Sequence, residues 1–180
     1  GGSAGRLRLP VQAVYKVTGS GTVVTGQIQT GTLRHGDTVA FAPGGPTAVV
    51  DSIEVNHVKV RAAGPGANVG LALDLPSTTV RRGMVCLGTA GGGTSTTAPR
   101  ALEAEIRVLQ TVARTREGAI YPGYTPTMHA HTATVPVVFD ELLWRRPAAG
   151  GTEVDPDAIV VGDVASVRLR PSAPLYTEVH

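Results

Sequence analysis

The chain has 180 residues, with 23 glycines, 13 prolines, only 4% aromatic residues and a formal net charge of +2. That length holds one domain or two small ones, and the frequent glycine, proline, valine and threonine favour strands and turns over helices. No apolar run approaches the roughly 18 residues that span a bilayer, and a single cysteine, Cys86, excludes an internal disulfide framework.

A lone thiol fits a reducing compartment, so the expected setting is soluble and cytoplasmic, with no membrane partner. Charge is uneven: residues 1–91 carry eight Lys/Arg against four Asp/Glu, residues 92–180 eight against ten. An anionic partner is expected on the first half.

In chain order, GGSAG at 1–5 reads as a linker or tag. LPVQAVYKV, TVVTGQIQ, TVAFA, AVVDSIEV, NVGLAL and MVCLG follow as short strand-like runs punctuated by Gly, Pro or Asp. The glycine-rich stretch VTGSGTVVTGQIQTG at 17–31 invites a phosphate-loop reading, which its context excludes. A phosphate cradle leads into a helix and a Gly-Lys pair, whereas Gly21 leads into strand formers and no Gly-Lys pair occurs in the chain. Glycines at 19, 21 and 26 are instead expected to turn or bulge strand edges. Residues 6–90 therefore predict a small closed β-barrel, and GGGTSTTAP at 91–99 a flexible connector.

Residues 100–180 continue as LEAEIRVLQ, TPTMHAHTATVPVVF, VASVRLRP and LYTEV, alternating as half-buried strands do. Only FDELLWRR, 139–146, has a spacing that could turn as a helix. The expected fold is all-β, two tandem barrels.

LRLPVQAVYKV, GSGTVVTGQIQTGTLRHGDTVAFAP, SIEVNH, PGANVGLAL and VRRGMV stand in an order and spacing that resemble domain 2 of the elongation factor Tu and elongation factor 1-alpha GTPases. LEAEIRVL, YPGYTPTMHAHTATVPVVFDEL and VGDVASVRLRPSAPLYTEV are similar to domain 3, with GY-x-P, HTA and F-x-EL closest to the elongation factor 1-alpha branch. The resemblance implies a fragment, with the GTPase domain and the closing strands of domain 3 missing. GTP and Mg belong to that missing domain, so the fragment is expected to hold no cofactor and to be no enzyme. It also implies aminoacyl-tRNA, the ribosome and a nucleotide-exchange factor as partners, in a factor that delivers aminoacyl-tRNA to the ribosome. The alternative is a release factor 3 or ribosome-rescue type GTPase, which shares both barrels and binds a tRNA-mimicking, release-factor-like protein.

Carried onto this sequence, the resemblance implies an acceptor-end pocket of Val17, Gly19, Ser20, Gly21, Val23, Glu54 and His57. Glu54 would meet the terminal adenine; the competing reading is an exposed strand-end acid. Ser20 and His57 replace arginines of bacterial members, and Ala67 replaces an aspartate of the family turn. Arg81 and Arg82 would contact phosphate, or form a solvated pair before a glycine turn. Gly123, Tyr124, His131 and Thr132 match the segment that approaches the T-stem. His129 and His131, spaced i, i+2 on one strand face, fall short of a zinc set without further ligands, so no metal is expected. No G-x-S-x-G elbow occurs, and no catalytic residue is assigned.

Overall fold

Period-two alternation of apolar and polar residues builds most of this protein, because successive side chains of a strand leave on opposite faces. In a computed structural model, the structure describes residues 5–17, 21–89, 96–110 and 118–178. The connector expected at 91–99 lies partly outside the described residues. Two compact units result: residues 1–98 with 129–134 and 175–180, and residues 99–128 with 135–174.

In the first unit, β1 (Arg8–Val17), β2 (Gly21–Gln27), β4 (Thr38–Ala42), β5 (Thr47–Val55), β8 (Asn68–Leu73) and β9 (Val85–Gly88) form the main sheet, with short β3 (Leu33–Arg34), β6 (Val58–Val60) and β7 (Ala62–Ala63) beside it. The lateral order is β4-β9-β1-β2-β8-β5, and β4 pairs again with β5. That pairing closes the expected barrel, and closure removes the free edges at which sheets aggregate. Val24, Phe41, Ile53, Leu71 and Leu73 point inward with no exposed surface. Cys86 joins them, as expected of a small buried hydrophobe, and burial pushes its thiol pKa up.

Gly26 sits where β1 bulges between Val11 and Ala13. A Cβ there would come within 2.4 Å of the Pro10 carbonyl oxygen. Glycine is required at that position by close backbone approach rather than by a ligand.

The second unit, apart from residues 129–134 of the β11–β12 hairpin, holds β10 (Leu102–Arg107), β11 (Thr127–Ala130), β12 (Ala133–Arg146), β13 (Glu153–Val154) and β14 (Val164–Pro171), a five-stranded sheet ordered β10-β14-β12-β11 with β13 on β12. Val137, Phe139, Ile159 and Val167 fill its core, and Tyr124 meets Phe139 edge-on at 5.6 Å. On the outer face the register sets Arg168 opposite both Glu103 and Glu141, and it bonds both; Arg170 pairs with Asp140.

Two expectations are corrected. FDELLWRR is the second half of β12, not a helix. Register shifts at Phe139/Glu141 and Leu142/Trp144 each insert an extra residue, so buried Phe139 and Leu142 stand three apart and imitate a helical period. LYTEV forms no strand over its described residues, 175–178. Tyr176 instead packs on Ala42, Val85 and Leu87, with Arg8 and Glu178 at its polar end.

Candidate nucleic-acid interface

On the outer face of the first barrel, strands β1, β2, β8, β5 and β6 lie side by side and frame a cavity of ≈ 320 Å³. The register explains its lining. Tyr15 pairs with Val23, Val23 with Ala72, and Ala72 with Ser52; one step along, Gly70 pairs with Glu54 and Glu54 with Lys59. Residues in register across antiparallel strands share a face. Their alternate neighbours Val24, Leu71 and Ile53 point into the core.

The floor is Gly70 and Ala72, which raise at most a methyl group. Tyr15 and Val17, 55% and 39% exposed, stand as apolar walls in solvent. Glu54 is exposed at the rim, and among the described residues neither it nor the facing Lys59 carries a salt bridge. The result is a flat slot with apolar sides and an open carboxylate, suited to a planar ring that carries an N–H donor.

Of the acceptor-end residues, the structure therefore brings Val17, Val23 and Glu54 together. Gly19 and Ser20 lie outside the described residues. Gly21 opens β2 at φ +74°, where a Cβ would sit 2.8 Å from the Leu73 carbonyl oxygen, and it does not line the cavity. His57 does not line it either. Asn56 and His57, at φ +51° and +64°, are the two central residues of the β5–β6 hairpin, as in a type I′ turn. Ala67 closes the Gly64–Ala67 turn through its N–H to the Gly64 carbonyl at 3.2 Å, with Gly66 at φ +87° supplying the bend.

Arg81 and Arg82 are exposed, ahead of Gly83 at φ +95°. The remaining four residues fall in different units. Gly123 and Tyr124 belong to the second, with Gly123 at φ +88° and the Tyr124 ring packed on its core. His131 and Thr132 belong to the first. The Thr132 hydroxyl donates to the Val11 carbonyl at 2.6 Å and accepts from the Gly83 N–H at 3.2 Å, which commits it to the backbone. His131, at φ +53°, occupies the turn after β11, so it and His129 do not share a strand face; His129 Nδ1 lies 3.3 Å from the Thr134 hydroxyl.

Sequence reasoning missed Tyr15, Ser52, Lys59, Gly70 and Ala72. Counting back two from Glu54 finds Ser52, and two from Val17 finds Tyr15. The other three required the lateral pairing.

Residues 21–87 match the family described as Elongation factor Tu domain 2, and residues 95–180 match the Elongation factor Tu C-terminal domain. Over 175 residues the chain is 39% identical to elongation factor 1-alpha of Methanocaldococcus jannaschii, covering 96% of this chain and 39% of that protein. It is 41% identical to elongation factor 1-alpha of Pyrobaculum arsenaticum, covering 96% and 38%. The chain thus spans about two fifths of the length of these relatives. A crystal structure of sup35 complexed with GDP shares the fold at a TM-score of 0.80 and 23% identity, over 97% of this chain and 41% of that one. Among the described residues, no helix is long and apolar enough to cross a membrane.

Proposed function

The chain belongs to the elongation factor Tu and elongation factor 1-alpha family of translation factors, carrying its domain 2 and C-terminal domain, and from that premise we propose that it is the aminoacyl-tRNA-binding portion of a factor that delivers aminoacyl-tRNA to the ribosome in the cytoplasm. One observation carries the reading: an unpaired Glu54 carboxylate at the rim of a flat cavity walled by exposed Tyr15 and Val17. The terminal adenine lies over Gly70 and Ala72, its amino group donates to Glu54, and the apolar walls cover its faces. The exposed Arg81 and Arg82 hold phosphate. In the second unit, Gly123 and Tyr124 meet the T-stem through backbone and ring, contacts that read RNA by shape; in the first unit, His131 is the candidate for such a contact. A nucleotide-exchange factor docks on the same domain 2 barrel.

GTP and Mg belong to the family's GTPase domain, and the residues described here do not suit them. The glycine-rich stretch opens onto strand β2, so it presents no helix N-terminus to a phosphate. This part of the factor recognises cargo; the nucleotide switch is the work of the other.

The test is titration of aminoacylated and deacylated tRNA against the chain at fixed salt, wild type beside Glu54→Ala. Salt is held constant because phosphate contacts otherwise dominate the change. The wild type should prefer the charged form, and Glu54→Ala should weaken it roughly twelve- to 150-fold, the equivalent of a hydrogen bond to a charged group of about 1.5–3 kcal/mol. Indifference to charged tRNA, together with tight binding of a release-factor-like protein that Glu54→Ala leaves unaltered, would replace this reading with the termination or rescue alternative.

A further inference from the structure

A second, larger depression of ≈ 700 Å³ adjoins the Glu54 cavity and shares Ser52 and Lys59 with it. Its lining includes Arg34, His35, Asp51, Lys59 and Arg61. The short ribbon of β3 and β7 builds it. Leu33 and Ala63 pair and are buried, so their neighbours Arg34 and Ala62 turn outward, and the His35 N–H bonds the Arg61 carbonyl at 3.0 Å. Lys59, in β6, and Arg61, the residue after its end, are both exposed.

Three basic side chains, Arg34, Lys59 and Arg61, thus line one hollow that holds one acid, Asp51, with Glu54 opposite Lys59 at its border. Among the described residues none of the three is in a salt bridge. The nearby Asp37 carboxylate is taken by the Arg34 backbone N–H at 2.8 Å. Elsewhere in the protein, Arg145, Arg168 and Arg170 are each matched to a carboxylate. Like charges gathered in a concave site and left uncompensated repel one another until an anion enters, and a guanidinium fork fits a phosphate.

We propose that this depression holds the phosphodiester backbone of the same RNA strand whose terminal nucleoside enters the Glu54 cavity, an assignment that rests on the tRNA reading. The shared wall makes the strand continuous: Lys59 stands at the border, Glu54 and the apolar slot on one side take the base, and Arg34 and Arg61 on the other take the phosphates that precede it. Basic grooves of this kind track single strands without reading sequence.

The test uses a short fluorescent single-stranded RNA ending in CCA, titrated against the chain over a range of salt. Each phosphate contact to a single strand contributes about 0.7 to the slope of log K against log salt. The triple variant Arg34→Ala/Lys59→Ala/Arg61→Ala should flatten that slope by about 2. Arg34→Lys/Arg61→Lys, which retains the charge, should keep it. Arg100→Ala/Arg107→Ala, two exposed arginines of the second unit, should leave it nearly unchanged and so exclude a net-charge effect. A triple variant with wild-type melting and an unaltered slope overturns the inference, as does an equal per-charge loss in the second-unit variant. The two readings separate cleanly. If Glu54→Ala weakens binding while the triple variant keeps the slope, the tRNA reading stands and the phosphate site falls. If the triple variant flattens the slope while Glu54→Ala and removal of the terminal nucleoside change nothing, the phosphate site stands and the tRNA reading falls.

Discussion

Replacing Gly70 by leucine should close the Glu54 cavity without harming the barrel. Gly70 lies mid-strand in β8, in register with Thr25 on one side and Glu54 on the other. A Cβ built there meets nothing nearer than Val23 Cγ1 at 3.7 Å, an ordinary van der Waals contact. Its φ is not positive, so a side chain brings no backbone strain, and glycine is a poor strand residue to begin with. Stability should therefore hold, or rise by up to about 1 kcal/mol, the span of the strand-propensity scale. The leucine side chain projects into the ≈ 320 Å³ slot and excludes a planar base. Losing a stack of about 1–3 kcal/mol predicts roughly five- to 150-fold weaker binding of charged tRNA. Gly70→Ala, a single methyl, should do far less. Titration of charged tRNA at fixed salt, with urea unfolding of the same samples, measures both quantities. A Gly70→Leu chain that unfolds at the wild-type midpoint and binds charged tRNA unchanged refutes the placement of the base. One that loses more than about 1 kcal/mol of stability refutes the packing argument.

Gly26→Ala should do the reverse. Its methyl would lie 2.4 Å from the Pro10 carbonyl oxygen and 2.7 Å from buried Leu9 Cδ2, so β1 must shift, at a cost of about 1–3 kcal/mol in urea unfolding; an unchanged midpoint contradicts the close approach. Tyr176 predicts an alkaline limit. Burial, then its hydrogen bond to Glu178, raises the phenol from its ordinary 10 to about 12. The fold favours the neutral ring, so its contribution is complete below pH 10 and is lost as pH rises from 10 to about 12. That contribution amounts to at most about 3 kcal/mol. Tyr176→Phe should flatten the stability curve over that window, and an equally steep loss in the variant would exclude Tyr176 as its source.

Most strands were legible because their signal is local. Period-two alternation in NVGLAL or LEAEIR depends on neighbouring residues alone, and the Pro65-Gly66 pair announces its own turn. Local signals also mislead where the backbone departs from regularity. The two bulges of β12 turned a strand period into a helical one, and pairing with β14 over eight register positions, Val137 to Arg146, and with β13 at Trp144 and Arg145 holds that segment extended. The site divides along the same line. Glu54, Val17 and Val23 were reachable through a family resemblance, and Ser52 and Tyr15 by counting along their own strands. Gly70, Ala72 and Lys59 were not, because their part in the slot is set by which strand lies beside which. Lateral order and register are decided by how the inward faces of β1, β2, β5 and β8 fill one closed core, an interaction between residues as far apart along the chain as Leu9 and Leu73. The sequence alone determined which side chains leave a strand on the same face; only closure of the barrel decided which of those faces meet.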